Sequence, residues 1–214
     1  MDTVMARVRK EKIIAIVRGL EREYMLPLAS ALVAGGITLI EVTFDQSSPA
    51  SWQDTQAAIR ALNTEFGGKV IAGAGTVMTI GQVNLAHEAG ARYVVSPTVE
   101  AVVIRETKRL GMASFPGALT PTECVLANRA GADAVKLFPA STLSPAYLKA
   151  IRAPLSDIDF LAVGGVDEKN AADFIAAGAI GVGIGGSLVN RAWIERGEFD
   201  KITALARQCR KAVG

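Results

Sequence analysis

The sequence contains few of the residues from which metal sites and disulfide frameworks are built. It has two cysteines, Cys124 and Cys209, and one histidine, His87. The cysteines lie in helix-like stretches without the spacing of metal ligands, so we interpret them as free thiols. A zinc site based on histidine is not expected from a single histidine on the polar face of a predicted helix. We therefore predict no metal ion and no other cofactor.

Charge of one sign and long apolar runs are also lacking. The 23 basic and 21 acidic residues leave a formal net charge of +2, and no basic run is longer than the short stretch at 7–12. Nucleic acid is therefore not an expected partner. No uncharged apolar run reaches the roughly 18 residues of a membrane span, and residues 1–7 lack the apolar core of a signal peptide. We expect a cytoplasmic protein that does not enter the membrane.

What the sequence does contain is a repeated unit. An amphipathic stretch ends in Ala-Gly, a small loop follows, and then comes a short, apolar, β-branched run. Clear copies lie at 31–42, 86–95, 127–136 and 175–182. Glycine after an amphipathic stretch is typical of a helix end, because it adopts the left-handed conformation at little cost. Short runs that are apolar throughout are typical of parallel strands covered on both faces.

Extending this unit along the chain predicts eight strands alternating with eight helices. The strands are expected near 13–17, 38–42, 69–74, 92–95, 112–115, 133–137, 159–163 and 180–184. The helices are expected near 23–34, 50–64, 79–89, 99–109, 120–129, 144–151, 167–177 and 198–212. This α/β pattern predicts a single (β/α)8 TIM barrel domain over residues 1–214. An open, doubly wound sheet is the structural alternative.

Active sites of such barrels lie at the carboxyl ends of the strands. Two ionisable residues interrupt otherwise apolar strands there, Glu41 and Lys136. Burial lowers the pKa of a lysine and favours the neutral amine, which can attack a ketone. We therefore predict that Lys136 is a nucleophile and that Glu41 is a general acid–base. A structural ion pair between the two is the alternative.

Small and hydroxyl-bearing residues follow the other strands. The pairs Gly164-Gly165 and Gly185-Gly186 end the last two predicted strands, and Ser187 follows. Loops at these two places often bind phosphate through backbone amides, although glycine pairs can also form tight turns only. Thr43 and Thr76 could hydrogen-bond a substrate or serve only as strand formers.

The segment 73–78 begins like a dinucleotide-binding fingerprint, but it lacks the third glycine. We therefore do not predict a nucleotide site there.

Taken in order, these residues resemble a known family, the 2-dehydro-3-deoxy-6-phosphogluconate (KDPG) / 4-hydroxy-2-oxoglutarate (KHG) aldolases. The resemblance covers essentially the whole chain. The segments that carry it are Ile14–Gly19, Ile40–Phe44, Gly73–Val77, Val95–Pro97, Pro116-Gly117, Thr120–Glu123, Val135–Ala140, Gly164–Val166 and Gly185–Ser187. The set in this order is specific, whereas any one segment is not.

The resemblance implies a class I aldolase that reversibly cleaves a 2-keto-4-hydroxy acid to pyruvate and an aldehyde. It implies that Lys136 forms the Schiff base and that Glu41 is the acid–base carboxylate. Thr76, Pro97 and Phe138 are implied as contacts of the pyruvyl group. The phosphate of a sugar-acid phosphate substrate would be bound by Gly164, Gly165, Gly186 and Ser187. A homotrimer is also implied.

One departure from the family concerns the substrate carboxylate. Some members carry arginine shortly after the Glu-Val-Thr segment, whereas this chain has Asp45 there. An acidic side chain repels a carboxylate, so we expect Arg18, at the end of the first strand, to bind the carboxylate instead.

Other identities remain open at this point. The segments 138–141 and 162–165 are also similar to 2-dehydro-3-deoxy-6-phosphogalactonate (KDPGal) aldolases, which leaves the substrate's configuration at C4 undecided. The alternatives of another class are a non-covalent enzyme on a phosphate-binding barrel, such as an isomerase or a thiamine-phosphate-synthase-like enzyme, and a sugar-phosphate binder without activity.

Overall fold

The structure, a computed structural model, describes residues 3–214. The first two residues of the amino-terminal segment considered above lie outside this range. The chain begins with a helix that the sequence analysis did not predict, α1 (Val4–Glu11). Its Val4 and Val8, one turn apart, pack onto the residues that fill the barrel interior near the amino-terminal ends of the strands. Helix α1 therefore covers the end of the barrel opposite the predicted site.

The central sheet is parallel throughout. Its strands are β1 (Ile13–Val17), β2 (Leu39–Thr43), β3 (Ile71–Gly75), β4 (Tyr93–Val95), β5 (Ala113–Phe115), β6 (Gly117–Ala118), β7 (Val135–Leu137), β8 (Phe160–Val163) and β9 (Gly181–Ile184). They are ordered β5-β4-β3-β2-β1-β9-β8-β7-β6.

Strands β5 and β6 are two parts of one strand that is interrupted at Pro116, a residue without a backbone N–H. Strand β5 pairs with β4, and β6 pairs with β7. The Pro116 carbonyl still accepts a hydrogen bond from the Lys136 N–H at 2.9 Å. The segment 113–118 is thus hydrogen-bonded to both β4 and β7, and it closes the sheet into a barrel. The predicted (β/α)8 barrel is confirmed, and the open doubly wound sheet is wrong.

Helices surround the barrel. They are α2 (Arg22–Ala34), α3 (Trp52–Phe66), α4 (Ile80–Glu88), α5 (Ala101–Arg109), α6 (Pro121–Ala130), α7 (Ala140–Arg152), α8 (Ala171–Ala176), α9 (Arg191–Glu195) and α10 (Phe199–Val213). A short 3-10 turn, Pro49–Ser51, precedes α3. The predicted capping box at the start of α6 is present, with Thr120 and Glu123 each accepting from the other's backbone N–H.

One further helix was missed, and two of the predicted helices differ in extent from the structure. The short helix α9 was not predicted. Helix α8 covers only part of the predicted 167–177, because Asp167 and Asn170 bond within the loop that precedes it. Helix α7 begins at Ala140 rather than near 144, and it is kinked at Ser144, where φ is 69°.

No helix within residues 3–214 has the length and apolar character needed to cross a membrane.

Candidate active site

Glu41 enters the barrel interior from β2. Side chains alternate along a strand, and Leu39, two residues earlier, belongs to the interior cluster, so Glu41 also points inward. Its side chain is only 3% exposed. The carboxylate lies over β3, where a Cβ atom on Gly75 would be only 1.9 Å from Glu41 Oε1. The absence of a side chain at Gly75 therefore provides the space that the carboxylate occupies.

Lys136 enters the interior from β7 in the same way, two residues after Ala134 of the interior cluster. Its side chain is 7% exposed. The Nζ atom lies 4.6 Å from the centroid of the Phe138 ring. This aromatic face, together with the apolar barrel wall, leaves the amine with little access to bulk water.

Glu41 and Lys136 line one cavity of about 430 Å³ together with Arg18, Phe138 and Val163. Within residues 3–214, Glu41 and Lys136 are not joined by a salt bridge. Their charges nevertheless interact across the cavity. Glu41 and Lys136 therefore do not form the structural ion pair that was the alternative prediction. Both groups face space that a ligand can occupy.

Burial determines the direction of both pKa shifts. It raises the pKa of the Glu41 carboxyl, although the positive charges of Lys136 and Arg18 oppose the rise. Burial also lowers the pKa of the Lys136 ammonium; Glu41 opposes this shift, and Arg18 adds to it. A lysine with a lowered pKa is more often a neutral amine near neutral pH. A carboxyl with a raised pKa is better suited to transferring protons there.

The loops after β8 and β9 line the same cavity with Gly164, Gly165, Gly186 and Ser187. Gly165 has a φ of 69°, and a Cβ atom there would lie 2.0 Å from Ser141 Oγ. Gly186 has no neighbour within 4 Å of its Cβ position. The backbone is thus bare where an anion would approach it.

Thr43 and Thr76 lie beside the first cavity rather than in it. They line a second cavity of about 550 Å³, with Asp45 and Gln46, and Arg18 lines both cavities. Arg18 is therefore placed to contact a ligand that extends from one cavity into the other.

Pro97 lies on a third cavity of about 300 Å³, which shares Phe138 with the first cavity. Its carbonyl packs against β6, where a Cβ atom on Gly117 would lie 2.5 Å from Pro97 O. Of the predicted substrate contacts, Pro97 thus lines a different cavity from Lys136, and Phe138 lines both cavities.

Several residues that line the cavities were not predicted from the sequence. Gly73 and Gly75, which were considered only within the failed fingerprint and the family resemblance, are two of the inward positions of β3. They make room for the Tyr93 ring and for Glu41. Two glycines at a spacing of two in a strand are a signal for such close approach. Asp167 and Gln46 also line the cavities, and no sequence pattern marked them.

A comparison with family models decides the family. The model described as KDPG and KHG aldolase matches residues 4–205. The chain belongs to the KDPG and KHG aldolase family. Aldolases of this family are aldehyde-lyases, so the chain is an enzyme of that class.

Two curated relatives and one solved structure place the chain within the KDPG and KHG aldolase family. A probable KDPGal aldolase of Rhizobium meliloti is 40% identical over 189 residues, covering 88% of this chain and 86% of the relative. A 2-dehydro-3-deoxy-phosphogluconate aldolase of Treponema pallidum is 36% identical over 217 residues, covering 100% and 99%. The structure of KDPG aldolase from Legionella pneumophila, with pyruvate captured as a covalent carbinolamine, has a TM-score of 0.85 and 29% identity, with 95% and 96% covered.

Proposed function

We propose that the chain is a class I aldolase that reversibly cleaves a 2-keto-3-deoxy-6-phospho sugar acid through a Schiff base on Lys136. The products would be pyruvate and glyceraldehyde 3-phosphate; with 4-hydroxy-2-oxoglutarate, they would be pyruvate and glyoxylate. The observation that carries the proposal is that Lys136, buried with a lowered pKa, shares a cavity with Glu41 but forms no salt bridge with it. The covalent carbinolamine in the Legionella relative is formed with pyruvate, the product proposed here.

In the proposed reaction, the neutral Lys136 amine adds to the C2 carbonyl of the substrate and forms a carbinolamine. Loss of water then gives an iminium ion, which can accept the electron pair of the C3–C4 bond. Glu41 takes the proton from the C4 hydroxyl as that bond breaks and the aldehyde leaves. The remaining enamine is protonated at C3, and water releases pyruvate and the free amine. Because the iminium ion accepts the electron pair, no metal or organic cofactor is required.

The same proposal assigns roles to the surrounding residues. Arg18 would bind the C1 carboxylate through its guanidinium, close to Thr43 and Thr76 in the second cavity. Phe138 would cover the pyruvyl group, with Pro97 behind the ring. The phosphate would bind to the backbone of Gly164, Gly165 and Gly186 and to the Ser187 hydroxyl. This hydroxyl donates only a long bond, of 3.3 Å, to the Val166 carbonyl and is available to an anion.

A second candidate substrate is the C4 epimer, 2-dehydro-3-deoxy-6-phosphogalactonate. The Rhizobium relative, a probable KDPGal aldolase, favours it at 40% identity. Pyruvate release from the gluconate epimer, the galactonate epimer and 4-hydroxy-2-oxoglutarate, each coupled to a lactate dehydrogenase, tests the function and ranks the substrates. We expect cleavage of at least one phosphorylated epimer and none by Lys136→Met. No pyruvate from any of the three would overturn the proposal.

We further propose that the chain is a single domain, assembles as a homotrimer and acts in the cytoplasm. An apolar surface supports the assembly: helices α4, α5 and α6 pack side by side, and they and their loops expose large apolar side chains. These are Met78, Ile80, Val102, Leu119 and Leu126. Such exposed apolar groups are typical of subunit contacts. Light scattering should give three times the chain mass of 22.4 kDa; the mass of one chain would contradict the trimer.

A further inference from the structure

Two glutamine side chains join the loop after β2 to the loop after β3. Gln46 Nε2 donates to the Thr76 carbonyl at 2.6 Å. Gln82 Nε2 donates to Gln46 Oε1 at 3.1 Å, and Gln82 Oε1 accepts from the Met78 N–H at 2.7 Å. Gln82 is fully buried. The network therefore begins and ends on the backbone around Thr76, with Gln46 as the member that crosses from the neighbouring loop.

Thr76 has the backbone conformation that needs such support. Its φ is 55°, in the left-handed region that a β-branched residue seldom adopts. Such conformations persist where the surrounding structure holds them, and they are concentrated at ligand sites. The flanking peptides are also fixed, because the Gly75 carbonyl accepts from the Phe44 N–H at 2.9 Å. The Gln46 bond completes this support on the carboxyl side of Thr76.

The supported residue lies where the substrate carboxylate is expected. Thr76, Thr43 and Arg18 line the second cavity together with Gln46. Asp45, which stands where some family members carry arginine, faces its own loop instead. Its Oδ1 accepts from the Ser47 N–H at 2.9 Å and from the Ser47 hydroxyl at 2.7 Å. This loop supplies no cation to the cavity, and it bonds to the carboxyl side of Thr76 through Gln46.

We propose that Gln46 is a positioning residue for substrate binding. It holds Thr76 in the left-handed conformation and thereby aims the Thr76 hydroxyl at the carboxylate that Arg18 binds. This inference rests on the proposed function, because it assumes that a 2-keto acid occupies the cavity. In this proposal Gln46 acts through its hydrogen bond to the Thr76 carbonyl and not by contacting the substrate. Its effect therefore passes entirely through Thr76 and should appear in binding rather than in the chemical steps.

The test compares Gln46→Met with a matched control, Gln56→Met. Gln56 Nε2 likewise donates to a backbone carbonyl, that of Leu85, at 3.2 Å, but it joins α3 to α4 away from the cavities. The readout is the pyruvate concentration that half-saturates borohydride trapping on Lys136. We expect Gln46→Met to raise this half-saturating pyruvate concentration about tenfold, in line with the loss of one hydrogen bond. The trapping rate at saturating pyruvate should be unchanged. We expect Gln56→Met to match the parent.

A double-variant cycle identifies the route of the effect. Glycine adopts a positive φ without strain, so Thr76→Gly should need no support from Gln46. Adding Gln46→Met to Thr76→Gly should then cause no further loss, whereas independent effects would multiply. A multiplied loss, or Gln46→Met binding pyruvate like the parent, would overturn the inference. Failure of the parent itself to trap pyruvate would instead count against the proposed function, so the two failures are distinguishable.

Discussion

The Glu41 carboxylate lies against the bare backbone of Gly75, where a Cβ atom would be 1.9 Å from Oε1. Glu41 is paired in register with Gly73, so its side chain leans along β3 toward the carboxyl end of the barrel. Of the inward positions of strand β3, Ile71 carries a side chain into the interior, whereas Gly73 and Gly75 do not. The position of the proposed acid–base group therefore depends on a glycine that makes no hydrogen bond to it.

Gly75→Ala should displace the carboxylate and reduce kcat/KM by about 100-fold, the size typical of a misplaced acid–base group. The fold should survive, because the displaced atoms are the end of one side chain. Gly81→Ala is the matched control, since the nearest atom to its Cβ position is Thr79 Oγ1 at 3.8 Å. Steady-state kinetics of both variants, with circular dichroism to verify folding, is the measurement. Equal activity of the two would contradict the role given to Gly75.

Sequence reasoning located the main residues of the site because they break a pattern. Glu41 and Lys136 are ionisable groups in apolar strands, and the alternation of a strand then places both inside the barrel. The strand bounds were close: the second strand was expected at 38–42 and lies at Leu39–Thr43. That these two residues face the same space then follows from the barrel.

The electrostatic environment of Lys136 predicts opposite effects of two charge removals. Glu41 raises the pKa of Lys136, so Glu41→Gln should lower it, and the neutral amine should then appear at lower pH. Arg18 lowers the pKa of Lys136, so Arg18→Gln should raise that pKa, and the neutral amine should then appear only at higher pH. The two pH profiles should therefore lie on either side of the parent profile.

Labelling by a neutral amine-directed reagent, followed by peptide mass spectrometry across a pH series, measures these profiles. A neutral reagent avoids any direct attraction to Arg18. The exposed Lys149 of helix α7 is an internal reference in the same samples. Profiles that move in the same direction, or that coincide with the parent, would show that the two charges do not act on Lys136 as described.

The proposed phosphate-binding role of the last two loops predicts a selective loss in Gly186→Ala. No atom lies within 4 Å of the Cβ position, so the substitution should leave the fold intact while placing a methyl group in the cavity. We expect the KM for a phosphorylated substrate to rise about tenfold, or about 1.4 kcal/mol. Pyruvate trapping, which involves no phosphate, should be unchanged. A higher KM for the phosphorylated substrate together with weaker pyruvate trapping would argue against a phosphate-specific role.

Other parts of the structure could not be predicted, for physical reasons that differ. Helix α1 is only eight residues long, and its apolar positions Val4, Met5 and Val8 form too short a pattern to stand out. The division of the proposed substrate contacts among three cavities depends on how the loops fold back. Gln46 illustrates this: its partners Thr76 and Gln82 are 30 and 36 residues away, and no local pattern marks a loop amide.

The proposed mechanism depends most directly on the nucleophile, and one measurement tests this assignment. The folded chain is incubated with saturating pyruvate, reduced with borohydride, and read by intact and peptide mass spectrometry, with Lys136→Arg treated in parallel. We predict a reduced pyruvyl adduct on the peptide that carries Lys136, and none on the variant. No adduct on the folded parent, or an adduct that persists on Lys136→Arg, would contradict the assignment of Lys136 as the Schiff-base lysine.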